Sequence, residues 1–118
     1  MARKKGNAKS TPQWPEPQSR NEAVLQNILG AENTLSSPES RVEAILQAIL
    51  HNDPDEYTAT PQSRIEALLL AILNGESTDL TAEGSRNAAI LISKIKGESY
   101  DEETQSRIEA LLKQWCNA

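Results

Sequence analysis

Phenylalanine is absent from the 118 residues, and only two Trp and two Tyr are present. A core must therefore be built from Leu, Ile, Val and Ala, which pack closely and leave little room to enclose a cofactor. Cys116 is the only cysteine, so an internal disulfide and a cysteine metal site are both excluded. His51 is the only histidine. No apolar run approaches the roughly 18 residues of a membrane span, and Met1–Ser10 lacks the apolar centre of a signal peptide. The expectation is a soluble chain with no membrane partner. Gly-rich phosphate loops, HExxH and EF-hand loops are missing, as is any pairing of Cys or His ligands. Neither a catalytic nor a cofactor-binding nor a metal-binding residue is assigned.

Charge is distributed unevenly. The net charge is −5, yet Arg3, Lys4, Lys5 and Lys9 crowd the first ten residues without an acid. The remaining residues hold 8 basic and 17 acidic side chains. An acidic body argues against nucleic acid as partner of the whole surface. The basic residues read either as an arm that binds phosphate or an acidic protein surface, or as a solvated tail. Trp14, between Pro12 and Pro15, reads either as a lid on the first helix or as an anchor in a partner's pocket.

What the chain does have is repetition. Ser19-Arg20-Asn21-Glu22-Ala23-Val24-Leu25 returns as Ser40-Arg41-Val42-Glu43-Ala44-Ile45-Leu46 and as Ser63-Arg64-Ile65-Glu66-Ala67-Leu68-Leu69. It returns twice more, as Ser85-Arg86-Asn87-Ala88-Ala89-Ile90-Leu91 and Ser106-Arg107-Ile108-Glu109-Ala110-Leu111-Leu112. The spacing gives five units of about 22 residues, beginning near residues 17, 38, 61, 83 and 104. Ser followed three residues later by Glu is the capping box that opens a helix; only the fourth unit lacks the Glu, with Ala88 in its place. Pro17, Pro38 and Pro61 keep the approach to the cap extended. Gly30, Asn52, Gly75 and Gly97 stand where C-terminal caps belong. These signals predict helices over residues 20–29, 41–51, 64–74, 86–96 and 107–116.

Counted from each serine, positions +5, +6, +9 and +10 are mostly Val, Leu or Ile, joined at +2 by Val42, Ile65 and Ile108. At about 100° per residue they form one broad apolar stripe. Ala at +4 lies off that stripe and offers a strip where a neighbouring backbone can come close. Helices of about 11 residues are marginal alone in water, so each stripe must be covered by another repeat, another copy of the chain or a partner. The connections are polar, each with one larger apolar residue (Leu35, Tyr57, Leu80 or Tyr100) that reads as a peg onto the helical layer. Their length permits parallel and antiparallel stacking alike. The fold class expected is all-α: five short helical repeats stacked into a small module over 17–118, behind an extended basic arm over 1–16.

Arg20, Arg41, Arg64, Arg86 and Arg107 stand directly after the serine in all five repeats. A cation in the first helical turn opposes the helix dipole, so a non-local partner is expected. Acids of a neighbouring connection fit that need: Asp53, Asp55, Glu76, Asp79, Asp101 or Glu102. The alternative is a ladder of guanidinium groups that grips carboxylates on a partner. His51 at a helix end reads as a cap, and Cys116 as a packing residue.

The segment Pro17-Gln18-Ser19-Arg20-Asn21-Glu22-Ala23-Val24-Leu25 and its copies resemble the short PQSRxEALL segments of phage and prophage proteins from Gram-positive bacteria, found in head-fibre, decoration and other virion structural proteins. The resemblance covers residues 17–116 and departs from the pattern at Ala88, Glu83 and Thr104. It implies a virion structural or docking protein, made in the host cytoplasm and carried in the virion. No catalytic residues come with it. The implied partner is a capsid or other virion protein, or further copies of the chain, with the arm, Trp14 and the five arginines as candidate contacts. Two other function classes stand beside it: a phage-encoded adaptor or inhibitor of a host protein and, least favoured by the acidic body, nucleic-acid binding through the arm.

Overall fold

A computed structural model describes residues 14–76 and 85–118. Their regular structure is helical: α1 (Arg20–Ile28), α2 (Arg41–Leu50), α3 (Arg64–Asn74), α4 (Arg86–Lys96) and α5 (Arg107–Cys116), with a 3₁₀ turn at Pro54–Glu56. Every helix begins at the residue after a repeat serine. Each of the five serines is extended, with its hydroxyl accepting the N–H of the residue three positions on. Ser85 does this without a glutamate beside it, taking the N–H of Ala88 at 3.1 Å. The hydroxyl alone therefore suffices to start α4.

The helix ends follow the glycine and asparagine signals. Gly75 and Gly97 sit at φ +67° and +76°, a left-handed conformation that costs glycine little and other residues more. Asn52 takes the same turn at φ +54°. Beyond each turn an N–H reaches back five residues: Ala31 to the Gln26 carbonyl, Asp53 to Ala48, Glu76 to Ala71 and Glu98 to Ser93. One type of stop thus ends four of the five helices.

The five helices form a closed ring. Each packs on its successor, and α1 packs on α5. Side chains from the first turns of all five helices line one cavity, so their N-termini gather at the same end and the helices run parallel. Of the two stackings that connection length allows, the chain adopts the parallel one. The described connections, after α1, α2 and α4, each run back to the end where the next helix begins.

Burial follows the stripe. Val24, Ile45, Leu68, Ile90 and Leu111 at +5, with Leu25, Leu46, Leu69, Leu91 and Leu112 at +6, are all buried. The five stripes cover one another within a single chain. Leu35 and Tyr57 pack against this core from the connections, and Tyr100 is part of it; Leu80 lies outside the described residues. Trp14 also packs on the core. It stands five residues before Ser19, as Leu35 stands five before Ser40, so it is the peg of the first repeat. Residues 14–16, read from sequence as the end of the arm, therefore belong to the ring.

Candidate functional site

The side chains most open to a functional reading are the five arginines, and their placement follows from the parallel ring. An arginine at the first position of one helix lies beside the third position of the next, where the capping-box glutamate stands. Arg20 Nε donates to Glu43 at 2.8 Å, Arg41 Nε to Glu66 at 3.0 Å and Arg86 Nε to Glu109 at 2.9 Å. Arg107 closes the circle: its Nε donates to Glu22 at 2.8 Å across 85 residues of sequence. The acids expected from sequence were those of the connections; in the described pairs the partner is the box glutamate of the following repeat. Two connection acids add to these pairs: Glu39, 3.6 Å from Arg20, and Glu102, whose charge helps to raise Arg86.

These four guanidinium groups also hold the segments that lead into the helices. Nη2 of Arg20, Arg41, Arg86 and Arg107 donates to the carbonyl three residues before a repeat serine, at Ser37, Thr60, Glu103 and Glu16 respectively. The glutamates are equally committed. Glu22, Glu43, Glu66 and Glu109 accept the N–H of the residue before their own cap, at Gln18, Glu39, Gln62 and Gln105. The box glutamate thus reaches one residue beyond the usual cap N–H, and the same carboxylate takes the neighbour's arginine.

These glutamates are buried, with 2% to 9% of their surface exposed. An unpaired carboxylate would be driven toward its neutral form there. The opposite holds, because the hydrogen bonds outweigh desolvation. Arg107 holds the Glu22 carboxyl below its ordinary range, Arg20 does so for Glu43 and Arg86 for Glu109. At Glu66 the Gln62 N–H is the larger cause and Arg41 the smaller. In return Arg20, Arg86 and Arg107 are held above the ordinary guanidinium value by Glu43, Glu109 and Glu22. A negative side chain at the third helical position also suits the aligned dipoles of five parallel helices. The cation that opposes its own helix dipole is thereby accounted for.

A second clasp leaves no signature in the sequence. Position +7 ties its own connection to the helix: Gln26 donates to the Pro15 carbonyl, Gln47 to Ser36 and Lys113 to Glu102. Each acceptor lies four residues before the repeat serine. The residue type varies between repeats, with Leu70 and Ile92 at this place in the other two, so no sequence pattern announces it.

The parallel arrangement also creates a funnel on the ring axis. Its cavity of about 310 Å³ is walled by Asn21, Val42, Ile65, Asn87 and Ile108 at position +2 and floored by the +6 leucines. It opens at the end where the helices begin. Its wall is apolar apart from the two asparagines and Ser63.

The remaining sequence candidates fall elsewhere. Arg3, Lys4, Lys5 and Lys9 lie outside the described residues. Arg64 has the same place in α3 as the other arginines in their helices. His51 caps α2 and its Nδ1 lies 2.9 Å from Glu56. Cys116 is partly buried beside the Glu98 carbonyl, and burial pushes its thiol up, away from the reactive thiolate. Lys94 stacks over the Trp115 ring at 4.6 Å, which ties α4 to α5. Among the described residues no group of three or more His, Cys, Asp or Glu side chains is placed to hold a metal ion, and no helix is long and apolar enough to cross a membrane. No protein-family model, curated protein or solved structure matches the chain.

Proposed function

We propose that this chain is a non-catalytic virion structural protein, a decoration or attachment component that docks onto a larger protein assembly of a phage. The observation that carries the reading is the joining of five PQSR-type segments, each resembling segments of virion proteins, in one ring. The ring uses its arginines, box glutamates and apolar stripes to hold itself together. What remains for a partner is the shape of the ring, its rim and the basic residues ahead of it. Such an object suits docking. The guanidinium groups keep one role open to a partner, since their side chains are still 36% to 42% exposed beyond the bonds they make within the chain.

The test is the location of the protein after induction of the encoding phage or prophage. Gradient-purified particles that contain the full-length chain in fixed ratio to the shell protein support the reading. Recovery only from the host cell extract, bound to a host protein and missing from particles, overturns it in favour of an adaptor or inhibitor.

A further inference from the structure

Three hydrogen-bonded clasps recur where one helix meets the next. An arginine Nε donates to the box glutamate of the following helix, and its Nη2 holds the segment that leads into that helix. Position +7 of the following helix holds the same segment one residue earlier. The joints α1–α2, α4–α5 and α5–α1 have all three, from Arg20 with Gln47, Arg86 with Lys113 and Arg107 with Gln26. The α2–α3 joint has the two from Arg41, with Leu70 at position +7. The α3–α4 joint is built differently. Ala88 stands at the box position of α4 and Ile92 at its position +7. Neither side chain has a polar atom, so α4 offers α3 no box carboxylate and gives its own leading segment no donor from position +7. Arg64 is engaged with other groups, not with an acid at the third position of α4.

Both helices of this joint are firmly tied to their other neighbours. α4 is held to α5 by Arg86 on Glu109 and by Lys94 over the Trp115 ring. The connection between those two is pinned in turn. The Tyr100 N–H donates to Asn117 Oδ1 at 2.9 Å, and Asn117 Nδ2 donates to the Tyr100 carbonyl at 3.0 Å. α3 is held to α2 by Arg41 on Glu66 at 3.0 Å. Between α3 and α4 the two helices contribute apolar burial, through Leu68, Leu69, Ile90 and Leu91 in the shared core. At the helix C-terminal end that packing is incomplete: a cleft of about 330 Å³ lies between Ala71 and Ile72 on one side and Lys94 and Ile95 on the other. A charged hydrogen bond withheld from one joint lowers the work of parting it relative to the rest.

We infer that the ring is a conformational device with one opening joint, α3–α4. It parts there into a row ordered α4, α5, α1, α2, α3 whose other joints stay clasped. The chain still runs from α3 to α4, so the opened molecule remains in one piece and closes again through the same apolar contacts. Opening strips α3 and α4 of one neighbour each and bares part of their apolar stripes, while α1, α2 and α5 keep both neighbours. Short helices that lose packing fray, so the opening registers in the amides of α3 and α4.

The experiment is amide hydrogen exchange of the full-length chain under native conditions, resolved by residue with NMR. The expected result is that the central amides of α3 and α4 exchange together, at least about tenfold faster than those of α1 and α5. Uniform protection across the five helices, or a faster pair elsewhere in the ring, would overturn the proposal. The companion variant is Ala88→Glu, which gives α4 the box carboxylate that the other helices carry. Glu43 and Glu66 are buried at the same position of their own helices, so the ring accommodates this side chain at other joints. The variant should slow exchange in α3 and α4 until it lies within about threefold of that in α1 and α5. A gap left unchanged in the folded variant would also overturn the proposal. If the variant does not fold, the wild-type comparison decides alone.

Discussion

Two adjacent leucines of α3 offer a direct test of the axial funnel. Leu68 and Leu69 are 1% and 2% exposed, so burial alone treats them as equals. Their surroundings differ. Leu69 floors the funnel, whereas Leu68 points about 100° away around the helix, into the packed wall. Truncation to alanine removes three carbons, worth about 2.4 kcal/mol of transfer free energy at about 0.8 kcal/mol each. A closed cavity left behind adds up to about 2 kcal/mol more when the surroundings do not relax. At position 69 the lost volume opens into a cavity that already communicates with water, so little of that second contribution arises. The expected costs are about 2.5 kcal/mol for Leu69→Ala and about 4 kcal/mol for Leu68→Ala. The gap of about 1.5 kcal/mol corresponds to a difference of about 6–12 °C in Tm for a domain of this size. Urea unfolding followed by far-UV circular dichroism, with a shared m-value, measures both. Equal costs, or a greater cost at Leu69, would refute the open funnel and with it the parallel gathering of helix N-termini.

Other expectations follow from single observations. The carboxyls of Glu22, Glu43, Glu66 and Glu109 are held below their ordinary value of 4.5; their contribution to stability is therefore full above about pH 4.5 and is lost as the pH falls through their lower folded values. Denaturant midpoints should be flat from pH 7 to about 5 and drop steeply below about 4, and a midpoint that holds at pH 2 would contradict the pairing. The Tyr57 hydroxyl is buried without a hydrogen-bond partner among the described residues, so Tyr57→Phe should leave Tm unchanged or raise it, and a loss above about 1 kcal/mol would show that the hydroxyl is bonded. Gly97→Ala meets open space but must hold φ +76°; it should cost about 1 kcal/mol by thermal unfolding, and a neutral result would mean α4 does not end in a left-handed turn.

Local structure was legible because its causes are local. A serine hydroxyl can satisfy only an N–H a few residues away, and glycine in the left-handed region stops a helix wherever it stands. The helix starts expected from the serines are those observed, and the ends fall within one residue of those expected at Gly30 and Asn52. Ring closure was not legible. Connections of about ten residues reach either end of a neighbouring helix, so length did not select the parallel arrangement. The first-turn arginines point to a distant acid, but nothing in the sequence separates the connection acids Asp53 or Asp101 from Glu22 and its counterparts, whose place in the capping box already gives them a local bond. A carboxylate has lone pairs enough to take an N–H and a guanidinium together, and that double use joins one repeat to the next. Of the two readings of Trp14, a lid on the first helix and an anchor in a partner, its packing on the core matches the first; the signal for it is the interval before Ser19 that Leu35 occupies before Ser40.

The closed ring is the claim on which the rest depends, and the pair formed by Arg107 and Glu22 tests it most directly. In an open row of repeats this arginine and this glutamate would stand at opposite ends and could not interact. A double-mutant cycle on Arg107→Ala and Glu22→Ala, read by urea unfolding, should give a coupling energy of the same sign and similar size as the cycle on the sequential pair Arg20→Ala and Glu43→Ala. Clear coupling in the sequential pair with none between Arg107 and Glu22 would contradict the ring.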